Sequence, residues 1–262
     1  MRTIEHSVKN RLDRVVFVPG LFHFKMACTD AFWRIHVEPR AGRDDPTGFF
    51  EYIRHLRPRE TGKFISEPGF RRMHDAIHHS TWADVLDCWR LAANERGFAS
   101  LEAFAASEPD WDVICTISED LIRKYLPGRD FQDLREQPTS ERDVRFENQA
   151  LRKQHGLLYL EFSRAMNHGD VGHVLQLFPH WIAIFTKTGK HKYAAHMMHF
   201  MTDLDHVYPP RLRRAILNNW LCNPTGKVDG FRGYDWLMER NNLYTKVGNC
   251  AIGNQEMFTN YQ

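Results

Sequence analysis

Apolar residues along this chain recur mostly three and four positions apart, the period of an amphipathic helix, rather than two apart. Phe24 to Val37 shows the pattern, with Phe24, Ala27, Cys28, Ala31 and Ile35 on one stripe. Further helices are predicted from Asp45 to Leu56, from Pro68 to His79 and from Thr81 to Asn94. Thr81 and Asp84 are spaced as a capping box at the start of the last of these. Ser100 opens a short helix, and Pro109 opens a longer one to Tyr125, stopped by Pro127-Gly128. Ser140 with Asp143 caps a long helix to Asn167, and Asp170 caps the next, to Phe185. Helices over Lys190 to Tyr208, Pro209 to Leu221 and Gly233 to Val247 complete the series.

One segment breaks the pattern. Val15-Val16-Phe17-Val18 is a β-branched, wholly apolar run stopped by Pro19-Gly20, which predicts a strand covered on both faces. The polar stretch Phe131 to Thr139 reads as a connection, so residues 128–139 form a sub-boundary within a single domain, 1–262. The fold class is therefore mainly α: about ten helices with one short buried N-terminal strand.

Composition narrows the class of protein. With 42% apolar and 13% aromatic residues in 262, the chain can bury a sizeable core, which disordered chains cannot. Its longest apolar run, Leu177 to Phe185, is interrupted by Pro179 and His180, far short of the roughly 20 residues that span a bilayer. The charged N-terminus has no apolar stretch to serve as a signal peptide. Five cysteines (Cys28, Cys88, Cys115, Cys222, Cys250) lie far apart without a CxxC pair, against a disulfide framework and for a reducing compartment, nucleus or cytoplasm. A net charge of +2 lacks the large basic excess of a chain dedicated to nucleic acid, although a local patch is compatible with it.

Several constellations carry candidate chemistry. His74 and His78 lie one helical turn apart, with His79 beside them, the spacing of zinc proteases. Asp75 stands where such enzymes use Glu, and no third ligand follows, so ordinary helical histidines explain the pair better. The same holds for His191, His196, His199 and His206. Lys187-Thr188-Gly189-Lys190 and Asn223-Pro224-Thr225-Gly226-Lys227 lack the paired glycines of a phosphate loop. Lys187, Lys190 and Lys192 with Arg211, Arg213 and Arg214 can form a basic face, near Trp181, Tyr193 and Trp220, of the kind that binds nucleic acid. Asp235, Glu239 and Asn242 share one helix face. Carboxylates so placed hold Mg²⁺ or Mn²⁺ when another acid meets them.

Seven stretches carry a resemblance: VFVPGLFHFKMACTDAFWR (16–34), LRPRETG (56–62), PGFRRMH (68–74), AMNHGD (165–170), TGKHKYA (188–194), NPTGK (223–227) and LYTKV (243–247). Together they resemble a family of uncharacterised fungal proteins, DUF6589, expanded in mushroom-forming species, over residues 15–247. That family brings no established activity. More distantly, it is similar to transposase cores of the ribonuclease H type, in which acidic residues bind two metals for phosphodiester chemistry. The likeness implies that Val15 to Val18 is a core strand, His23 the histidine of the motif that follows it, and Glu239 the acid of the last helix, with Asp235 one turn away. Gly20 occupies a position that is often Cys or Asp in such cores. It further implies an upstream strand with a second acid, before the point where this chain begins. The helices then correspond to the insertion and C-terminal part of a truncated α/β core, and the ending from Gly248 departs from the family pattern.

The expected function is that of a mobile-element-derived remnant of a transposase-like, nucleic-acid-processing protein, catalytically inactive in this form. No cofactor is expected, and Mg²⁺ or Mn²⁺ only if the site is complete. The alternative is a helical interaction module without chemistry, with a protein partner completing the strand edge. A histidine-based metal hydrolase ranks below both.

Overall fold

A computed structural model describes residues 15–66, 68–128 and 131–249. Helix accounts for 75% of the structure, as the apolar periodicity predicts. In chain order the helices are α1 (Leu21–His36), α2 (Arg40–Asp44), α3 (Phe49–Leu56), α4 (Thr61–Ile65), α5 (Gly69–Glu95), α6 (Leu101–Ala106) and α7 (Trp111–Tyr125). These are followed by α8 (Phe131–Glu136), α9 (Val144–His168), α10 (Val171–Lys187), α11 (His191–Thr202), α12 (Pro210–Asn219) and α13 (Tyr234–Asn249). Between α12 and α13 lies a small antiparallel hairpin, β1 (Leu221–Cys222) with β2 (Arg232–Gly233), in the register Leu221 to Gly233 and Cys222 to Arg232.

The predicted N-terminal strand is not formed. Val15 to Val18 has no regular structure and is exposed, Phe17 at 68%. β-Branched residues favour extended backbone, but a strand exists only through its ladder, and no described residue pairs with this one. The two helices predicted over 68–94 are a single one, α5. Ser80 and Thr81 suggested an interruption, yet both are buried, and the Ser80 hydroxyl donates back to the Ile77 carbonyl at 3.2 Å. Asp84, assigned to the cap of the second helix, instead meets Arg152. Part of the expected connection over 131–139 is helical, as α8.

The chain divides into two compact units. Among the described residues, one comprises those within 15–25, 165–182 and 191–249; the other comprises those within 26–164 and 183–190. The first unit is built on aromatic packing. Phe178 meets Phe24 edge-on at 5.4 Å and Trp220 at 5.8 Å, and Phe200 lies 4.6 Å from Trp220. The Trp220 indole N–H donates to the Pro19 carbonyl at 2.7 Å, holding the chain that enters α1.

In the second unit Phe32, Phe49, Ile53, Phe64, Ile77 and Phe162 are almost fully buried. A smaller cluster, Ala92, Ala93, Phe104 and Ile117, joins α5, α6 and α7. The buried face of α9 carries several polar side chains in this unit. Arg152 makes a two-pronged pair with Asp84 of α5, at 2.5 and 3.0 Å, and Tyr52 of α3 donates to the same carboxylate at 2.8 Å. One turn on, His155 and His36 of α1 share a 3.1 Å hydrogen bond, and a turn further His74 meets the Tyr159 hydroxyl at 2.7 Å. Between these rows Gly156 faces Thr81, and any side chain at 156 would collide with the threonine hydroxyl. Among the described residues no helix is long and apolar enough to cross a membrane.

Candidate functional site

Helix α1 begins directly after Pro19-Gly20, so its first turn has no capping side chain of its own. The cap comes instead from the first turn of α13. Asp235 Oδ1 accepts the Phe22 backbone N–H at 3.0 Å, and Oδ2 accepts the His23 backbone N–H at 2.9 Å. A carboxylate at this end also complements the helix dipole. Two glycines make room for it. A Cβ on Gly20 would overlap Asp235 Oδ2, and one on Gly233 would lie 2.5 Å from Oδ1 and 2.8 Å from the Phe22 nitrogen.

The Asp235 carboxylate takes a third contact, at Oδ2, from His23 Nδ1 at 2.8 Å. A carboxylate oxygen only accepts, so Nδ1 of His23 is the donor in this contact, and Nε2 points away from Asp235. Glu239, one turn along α13, places Oε1 3.9 Å from that Nε2, beyond direct hydrogen bonding and within reach of a bridging water. Side-chain exposures of 49% for His23, 17% for Asp235 and 56% for Glu239 separate a recessed cap from two accessible groups. Near them, burial and secondarily the Asp235 carboxylate push the Cys222 thiol up.

The structure thus brings His23, Asp235 and Glu239 together across more than 200 positions of sequence. It does not give them a metal cage: among the described residues no group of three or more His, Cys, Asp or Glu could hold an ion. Asn242 is exposed on the same helix.

Elsewhere, His74 and His78 lie with rings 4.3 Å apart, packed around buried Tyr159, whose hydroxyl burial pushes well up. Lys187 and Lys190 fall in the second unit, where the Lys190 ammonium pairs with Asp30 and is mostly covered. Arg211, Arg213 and Arg214 are exposed on α12 in the first unit, as is Lys192 on α11. The Asn223 to Lys227 stretch is a self-contained turn. Asn223 Nδ2 donates to the Lys227 carbonyl, Thr225 Oγ1 donates to Asn223 Oδ1, and Gly226 adopts a φ of 64°. The part played by Gly20 and Gly233 was missed from sequence. A helix opening after a bare glycine, with no Ser, Thr, Asp or Asn at its cap, was the available signal.

No curated protein and no solved structure matches this chain. The model of a family of unknown function, DUF6589, matches residues 1–256, and the chain belongs to that family.

Proposed function

We propose that this chain derives from a nucleic-acid-processing protein of the transposase type and, in this form, binds nucleic acid without cutting it. The observation that carries the reading is the meeting of His23 and Glu239, 3.9 Å apart. A likeness to such proteins nominates these two residues from opposite ends of the chain. What argues against chemistry is the state of Asp235. Phosphodiester cleavage by paired metals needs several carboxylates with free oxygens around both ions. Here both Asp235 oxygens serve the N-terminus of α1, leaving Glu239 as the one accessible acid of the three. A lone carboxylate holds Mg²⁺ weakly, because the ion gives up its waters reluctantly. Supercoiled plasmid with Mn²⁺ tests both halves: retarded mobility without nicking is expected. Nicking abolished in Glu239→Gln would overturn the inactive reading, and no retention of plasmid would overturn the nucleic-acid reading.

A second reading, a helical interaction module, is favoured by the segment before α1. Among the described residues the backbone of Val15 to Val18 makes no hydrogen bond, and its side chains are 38% to 68% exposed. Such a segment is a template for a strand supplied by another protein. Under this reading Phe17→Asp abolishes a protein complex and leaves plasmid binding unchanged.

A further inference from the structure

The first unit contains an open surface cleft of about 420 Å³ between α12, the start of α10 and the ends of the hairpin. Leu175, Leu217 and Leu221 give it apolar walls, Phe231 an aromatic one, and Arg213 and Asn218 its polar groups. We propose that it receives one unstacked nucleotide of a single strand, base against Phe231 and the leucines, phosphate at Arg213. The proposal rests on the nucleic-acid reading above and gives it a place and a substrate class.

Size and composition both fit. The volume lies at the lower end of the range of about 300–1,000 Å³ typical of ligand sites, which are mostly apolar with a few fixed polar groups. Aromatic faces hold bases of any sequence by stacking, and an amide such as Asn218 can donate to and accept from a base edge. Among the described residues Arg213 pairs with one acid, Asp205, at 3.7 Å, with both side chains about half exposed. A pair so loose and so wet is worth little, leaving the guanidinium able to grip a phosphate with two N–H groups. Charge along the helix continues the argument. α12 carries no acid, and Arg211 and Arg214 are also exposed on it, one turn apart, adding positive charge beside the site. A base paired in duplex is stacked and cannot enter a cleft without being extruded, so the site selects single strands.

The test is fluorescence anisotropy of the whole chain with a labelled oligo-dT and with a duplex of equal length, across a salt series. Wild type is expected to hold the single strand more tightly. Arg213→Ala should weaken it about tenfold and lower the salt slope by about one. Leu217→Trp, which fills the cleft without touching charge, should weaken it by a similar factor and leave the slope unchanged. An oligonucleotide carrying 2-aminopurine should brighten on binding to wild type as a base leaves the stack, a readout independent of any variant's folding. Equal affinity for single strand and duplex, with no brightening, would overturn the cleft proposal and leave a merely basic surface. No binding of either nucleic acid would remove the functional reading along with it.

Discussion

Acid should weaken the second unit well before its carboxylates titrate, through the pair His36 and His155. Both residues are half-buried, and their 3.1 Å contact needs one nitrogen with a proton and one without. Burial holds His155 down at about 4, with Lys187 adding to the effect. Burial also lowers His36 well below its usual value, helped by His155 and then Arg152. Asp84, one row away, is already engaged by Arg152 and Tyr52. An imidazolium formed here would face the cations Arg152 and Lys187. An unfolded chain takes up these protons near pH 6.5; in the folded chain His155 takes up its proton only near 4 and His36 well below its usual value, so the stabilisation is complete above about pH 6.5 and falls as pH drops towards 4. At 1.36 kcal/mol per pH unit, His155 alone loses about 3 kcal/mol over that interval, a large part of the stability of an ordinary domain. Urea denaturation at pH 7.0, 5.5 and 4.5, followed by far-UV circular dichroism, measures it. The wild-type midpoint should fall steeply over this series, and the fall should be much shallower in the double variant His36→Asn, His155→Asn. Equal slopes in the two proteins would refute the reasoning.

Two further substitutions test particular contacts. Asp84→Leu strands a buried guanidinium and should cost about 3–5 kcal/mol in urea denaturation, whereas the double variant with Arg152→Met should recover much of that loss. Gly20→Ala should drive Asp235 off α1 and destabilise by about 1–2 kcal/mol, the scale of a lost cap. Asp235→Ala should cost a similar amount, and the two losses should fail to add, because they remove the same contact.

Helix content was legible because the helical period is a local property. Phe24 to Ile35 show one apolar stripe whatever they pack against, and α1 covers it. The failures share a cause in long-range partners. Val15 to Val18 has every local mark of a strand and lacks a ladder. Ser80 and Thr81 have the marks of a break and lie in mid-helix, because α9 offers them Gly156 and Arg152 takes Asp84. The strands that do form are two residues each, too short to carry a period of two. At the candidate site, spacing placed Asp235 and Glu239 on one face of α13, but nothing local paired that face with His23. That pairing depends on contacts more than 200 positions apart, and only a family likeness pointed to it.

Asp235 and Glu239 are chemically alike and one helical turn apart, so their different fates must come from what surrounds them. Asp235 sits at the foot of α13, where the hairpin delivers it against α1 and where Gly20 and Gly233 leave space for a carboxylate and little else. Glu239, one turn higher, clears α1 and reaches only the outer nitrogen of His23. Building a cleavage site here would mean turning Asp235 towards Glu239, which strips the Phe22 and His23 backbone N–H groups of their acceptors and leaves Nδ1 of His23 unmatched. One carboxylate cannot hold the helix and an ion together. In this chain the helix has it, and that competition is the physical ground for the proposal that the chain does not cut.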